Sequence, residues 1–232
     1  MTVYDADLEK LRAKVSRIES ALTEAYGKRI WSASNYSDDL LGALIATILS
    51  QNTSDLNSGR AFQSLLRAYP GGWQDVLDAP VGEVADSIRA GGLADIKAAR
   101  IQTVLAEIVE RSGALDLEPI RNWTDAEIVS YLRALSGVGA KTAACILMFN
   151  LGRPALAVDT HVHRVAGRLG LIGPKVNADK AHDELAAIVE PYSRYSVHVH
   201  FIEHGRTTCH ARNPECKECP VISECIYVRT AV

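Results

Sequence analysis

No apolar run in this sequence of 232 residues is as long as a membrane span. The longest, "LLGALIATILS" from Leu40 to Ser50, has the length of a core helix. The opening residues, "MTVYDADLEKLRAK", contain no apolar signal segment. Neither export nor a membrane partner is therefore expected, and a cytoplasmic location is. A basic excess is missing as well: 25 Lys and Arg against 28 Asp and Glu leave a net charge of −3. Bulk charge gives no argument for nucleic acid, although a local basic strip still binds phosphate. No stretch alternates apolar and polar residues as a half-buried strand does. Low-complexity linkers and internal repeats are absent too.

What is there is helical periodicity, in a chain long enough to bury a substantial core. Leu8, Leu11, Val15, Ile18 and Leu22 step by three or four and make an amphipathic first helix. Ser37, followed by Asp38 and Asp39, reads as a cap with acids in the first turn. The run after it is apolar nearly all round, which predicts a central, buried helix. Ile96, Ala99, Val104 and Ile108, with Gly113 beyond, mark another helix and its stop. "TDAE" at 124–127 is a capping box, and Asn177 caps a helix that stops before Pro191. The reading is an all-α chain of about ten or eleven helices joined by short turns.

Four of the five cysteines, Cys209, Cys216, Cys219 and Cys225, lie together near the end, spaced Cys-x6-Cys-x2-Cys-x5-Cys. In a reducing compartment such a cluster means metal rather than disulfides. Four thiolates satisfy one Zn²⁺ or a 4Fe–4S cluster, and the spacing alone does not choose. The fifth, Cys145, sits in "TAACILMF" and reads as a small core residue.

Residues 135–143, "LSGVGAKTA", place Gly137 and Gly139 on a turn between two helices, with Lys141 just beyond. Such a turn leaves backbone amides at a helix N-terminus, a setting that suits phosphate. It is neither a dinucleotide fingerprint nor a P-loop: no strand precedes it, and the lysine follows too soon.

Three segments in order, "LSGVGAKTAACIL", "AVDTHVHRVAGRLGL" and "HGRTTCHARNPECKECPVISEC", closely resemble the endonuclease III family. This is the branch of the helix-hairpin-helix DNA glycosylases that carries an iron–sulfur cluster. "LSQNTSDLN" (49–57) and "GGLADIKAARI" (91–101) are similar to that family's DNA-facing loops. The resemblance runs from about residue 38 to residue 228.

The resemblance implies two all-α lobes: a six-helix barrel over 33–153, and a cluster domain made of 1–32 and 154–232. It implies a 4Fe–4S cluster on the four cysteines, and a monomer that takes double-stranded DNA bearing damaged pyrimidines or abasic sites. DNA lies across the cleft between the lobes in that family, and the damaged nucleotide is flipped out, since a stacked base hides its glycosidic carbon. Lys141 matches the catalytic lysine, whose amine attacks the sugar as the neutral base, a form that a desolvated setting favours. Asp159 matches the catalytic aspartate, which steadies a cationic transition state; "VDTH" is equally a good helix cap. Gly137, Val138 and Gly139 match the hairpin that holds the DNA backbone, and His161 a position beside the aspartate. His163 and Arg168 read as a solvated helix face. Leu93 matches a leucine wedged into the gap that the flipped base leaves. Asn52 falls where many relatives have glutamine, a departure that bears on damage preference.

The expected function is base-excision repair by a bifunctional DNA glycosylase and abasic-site lyase. Two alternatives share these motifs: a mismatch adenine-type glycosylase, which usually lacks the lysine and carries a further C-terminal domain, and a DNA-damage-binding homologue with little chemistry. A zinc-stabilised helical scaffold is a third.

Overall fold

The computed structural model describes residues 3–230, so the ends of the expected domains, 1–2 and 231–232, lie outside the described residues. Among those described, every regular element is helical. The α-helices are α1 (Val3–Tyr26), α2 (Leu40–Ser50), α3 (Asp55–Ala68), α4 (Trp73–Asp78), α5 (Val81–Ser87) and α6 (Ala94–Ser112), then α7 (Asp125–Arg133), α8 (Ala140–Cys145), α9 (Thr160–Leu169), α10 (Ala178–Ile188), α11 (Arg194–Thr207) and α12 (Ile226–Thr230). The count exceeds the expected ten or eleven because α4, α5 and α12 are too short to show a period.

The chain divides into two compact units, residues 33–151 and residues 1–32 with 152–232. The first is built on α2, whose Leu40, Leu41, Leu44, Ile45, Ile48 and Leu49 are all buried. Each contributes roughly 1.5–3 kcal/mol by leaving water. Against α2 pack α3, α6 and α8. The cap of α2 is Asp39, whose carboxylate accepts from the Gly42 amide, and Ser37 instead accepts from the Asp39 amide. The cap thus stands two residues later than the pattern predicts: Asp39 reaches the exposed helix amides, and Ser37 shapes the turn before it. Thr124 and Glu127 form the full capping box of α7. α7 ends at Arg133, and Leu135 already lies in the turn beyond it.

The buried face of α6 is Ala94, Lys97, Ala98, Ile101, Val104, Leu105 and Ile108. Ile96 and Ala99, expected on its apolar stripe, face outward. The register differs from the expected one because a lysine occupies a core position. Gly113 closes α6 in the left-handed conformation, φ 77°. Cys145 is buried at the end of α8, which continues into one π-helical turn, Ile146–Asn150.

The second unit packs α1 against α10 and α11, and α9 against α11 and α12. Its core joins Val15, Ile18 and Leu22 of α1 to Val162, Val165 and Leu169 of α9 and to Phe201 of α11. Two distant parts of the chain thus share one core.

Candidate functional site

In the first unit the turn between α7 and α8 is held from below. Leu135 and Val138 are buried, and the Val138 amide donates to the Leu135 carbonyl at 3.1 Å. Val138 is therefore the apolar anchor of the turn, with side chain and amide both engaged. Gly137 and Gly139 lie on its exposed side. Gly137 has φ 75°, and a Cβ there would meet the Arg100 side chain at 2.3 Å, so any other residue would be strained and would have to displace Arg100. Gly139 precedes α8 in extended conformation and offers no side-chain cap. Lys141, half-buried, is the second residue of α8.

Around this turn stand residues whose individual roles no sequence pattern marks. Arg100 donates to Gln51 Oε1 at 2.6 Å, and Gln51 Nε2 lies 3.5 Å from the Gly137 carbonyl oxygen and from Thr142 Oγ1. The available signal is one arginine among the charged residues of α6, and its target lies 49 residues away. Ser136 donates from its amide and its hydroxyl to Glu107, fastening the start of the turn to α6. That pair holds the Glu107 carboxyl below the usual glutamate range.

Two exposed tips belong to the same unit. Asn52 follows α2 at φ 55°, and Leu93 precedes α6 at φ 52°. Both are side-chain-bearing residues in the left-handed region, which asparagine tolerates but which costs leucine about 1–2 kcal/mol. Leu93 is 52% exposed and Ile96, one turn on, 58%, so neither anchors the core.

In the second unit Asp159 caps α9: its Oδ1 accepts from the Val162 amide at 2.7 Å. His161 Nδ1 lies 3.0 Å from Arg164 Nη2, which also donates to the Gly205 carbonyl. His161 is half-buried and its ring is held on one side by that guanidinium. His163 Nε2 contacts the Val176 carbonyl oxygen at 2.7 Å. Arg168 reaches the carbonyls of His210 and Ala211 at 2.7 and 3.1 Å. The expectation of a solvated face at these two residues is corrected: both side chains tie loops to α9, a role that only the fold reveals.

The four clustered cysteines line one pocket of about 370 Å³, its open mouth included, and none forms a disulfide. Its apolar wall is Val165, Leu169, Val221 and Val228. Arg168 Nη1 donates to Cys209 Sγ at 3.2 Å, and its guanidinium stacks over Tyr227. His204 Nε2 lies 3.7 Å from Cys219 Sγ, and Tyr26 Oη lies 2.8 Å from His204 Nδ1. Burial pushes His204 down to about 4, so the ring is neutral near pH 7. Burial pushes the Cys219 thiol up, and the other three cysteines add to this. Four disulfide-free cysteines around one apolar pocket, with a guanidinium donating to one sulfur, make the all-thiolate donor set that an iron–sulfur cluster takes, so the residues fit that group. Among the described residues no three His, Cys, Asp or Glu side chains are arranged to hold a single metal ion.

Comparison with known proteins adds a family. Residues 45–191 match the model of the HhH-GPD superfamily base excision DNA repair proteins. The sequence is 32% identical to endonuclease III of Thermotoga maritima, over 82% of this chain and 84% of that one. It is 35% identical to endonuclease III of Bacillus subtilis, over 78% of each. An Arabidopsis thaliana protein, the putative DNA glycosylase At3g47830, is 33% identical over 80% of this chain, which spans 66% of that relative's length. A solved non-covalent endonuclease III–DNA complex has a similar fold, with TM-score 0.80 at 25% identity, covering 95% of this chain and 97% of that one.

Proposed function

From the premise that the chain belongs to the endonuclease III family of the HhH-GPD superfamily, whose members are base-excision DNA glycosylases, we propose that it removes oxidised pyrimidines from duplex DNA and then cuts the abasic site. The observation that carries this reading is Lys141 at the start of α8, directly behind an exposed glycine turn.

In the proposed reaction the neutral Lys141 amine attacks C1′ of the extruded nucleotide. A C1′–Nζ bond forms, and the glycosidic bond breaks toward the base, which leaves with the electron pair and takes up a proton. The C1′–O4′ bond then breaks, O4′ takes up a proton, and the opened sugar is held as an iminium on Nζ. That iminium acidifies the C2′ hydrogen; its loss expels the 3′ phosphate by β-elimination. Asp159 steadies the positive charge that develops on the sugar. The exposed faces of Gly137 and Gly139 suit a DNA phosphate, while Val138 contributes by anchoring them. Leu93, with Ile96 beside it, is the apolar tip that fills the space left by the base. His161 contacts the DNA backbone beside Asp159, and Asn52 faces the orphaned base.

Cys209, Cys216, Cys219 and Cys225 would hold a 4Fe–4S cluster. When bound, it supplies cross-links that order a tail with little apolar sequence of its own. The gathering of four disulfide-free cysteines on one pocket and the Arg168 donor support this assignment.

Borohydride reduction on an abasic duplex tests the mechanism. Wild-type protein should give a covalent protein–DNA adduct, and Lys141→Gln should bind the duplex without forming one. Asp159→Asn should bind damaged DNA and turn over about 100-fold or more slowly, because shape is kept and charge is lost. Adduct at wild-type yield from Lys141→Gln would assign the nucleophile to another amine.

A further inference from the structure

Lys97 is 2% exposed, among the most buried large side chains of the chain. Its ammonium donates to the Leu49 carbonyl at 2.7 Å and to the Gly91 carbonyl at 2.9 Å. Burial, with Arg100 adding to it, lowers its proton affinity, so the site is costly for a cation. The two carbonyls have one thing in common. Leu49 lies three residues before Asn52, and Gly91 two residues before Leu93. Asn52 and Leu93 are two of the three side-chain-bearing residues with positive φ among those described. One buried charge thus anchors the bases of both exposed, left-handed tips.

We infer that Lys97 is a positioning residue for base extrusion, tethering the Asn52 and Leu93 tips to one point on α6 so that both enter the duplex in register. It touches no DNA; it acts through Leu49 and Gly91. Strained backbone persists only where its surroundings over-determine it, and the paired hydrogen bonds supply that constraint. Arg100, one turn along α6, extends the constraint to the hairpin through Gln51. This inference rests on the reading of the two tips as duplex-entering.

The test is Lys97→Met, which keeps the side chain's length and removes its donors. Hydrogen exchange reports the tether without reference to activity: amides at 51–54 and 91–95 should lose protection together. Unchanged exchange at both turns would overturn the inference. In single-turnover assays, release of thymine glycol should slow about tenfold, as expected for lost hydrogen bonds from a charged donor. Cleavage of an abasic duplex, which has no base to extrude, should stay within about twofold of wild type. Equal slowing on both substrates would reduce Lys97 to a stability role and overturn the inference. In a Leu93→Ala background Lys97→Met should cost much less, whereas additive costs would mean the two act separately. If Lys97→Met does not fold, Lys97→Gln, which keeps two N–H donors, takes its place and should sit between wild type and Leu93→Ala in the ratio of the two rates. A wild-type ratio there would sink the proposal. Failure of wild-type protein to release thymine glycol would instead count against the proposed substrate, and hydrogen exchange alone would then decide whether the tether exists.

Discussion

Leu93 and Asn52 occupy backbone that glycine would adopt at no steric cost. Retaining a leucine there costs stability, which points to work done by that side chain. Leu93→Ala is expected to slow thymine-glycol release roughly tenfold and abasic cleavage far less, since wedging matters only where a base leaves the stack. Asn52→Gln, with one more methylene of reach, should likewise alter base release more than abasic cleavage. Paired single-turnover rates on the two duplexes check both; equal effects would make these tips general DNA contacts. Leu93 stands out in the sequence, because an apolar residue after Gly-Gly has no obvious core to join, whereas Asn52 is marked only by the resemblance. Lys97 does not stand out. A lysine in an amphipathic pattern reads as solvent-facing, and that assumption places Ile96 inside, whereas the fold turns it out. What decides the register is a pair of carbonyls 48 and 6 residues away, and no local pattern carries such a partner.

Helix ends are where local chemistry speaks most directly, and Thr124, Asn177, Asp159 and Gly113 cap the helices that their patterns predict. Elements bounded by tertiary contacts are less readable: α4 and α5 have six and seven residues, and neither has a side-chain cap. The candidate site shows the same divide, since Lys141 and the four cysteines stand in local motifs, whereas Gln51, Arg100 and Glu107 matter only once α6 lies beside the hairpin. That docking has a titratable clasp. The Ser136 hydroxyl and amide hold Glu107 below its usual pKa. A carboxyl with a lowered folded value stabilises the fold above the unfolded value, about 4.3, and the contribution is lost as pH falls through the folded value. Glu107→Gln should therefore lower the urea midpoint at pH 6, and the gap to wild type should close below about pH 4. A gap independent of pH would remove the carboxylate from the account.

For the molecule as a whole, the unit holding the four cysteines depends on a pocket that also gathers α9, α11 and α12. Cys219→Ala is expected to lose the brown absorption of an iron–sulfur centre and to become protease-sensitive first beyond residue 208. Stoichiometric zinc without iron in protein purified anaerobically would overturn the cluster assignment and leave the fold intact.

That same unit takes α1 from the beginning of the chain and packs it on α10 and α11. On the ribosome this has a price in time. Residues 33–151 can collapse as soon as they emerge, but the apolar stripe of α1 must wait until residue 207 has been made. At about 5–20 residues per second, that wait is roughly 10–40 s. Throughout it Val15, Ile18 and Leu22 have no permanent cover, so the nascent helix is a natural client for a holding chaperone until α10 and α11 have been made.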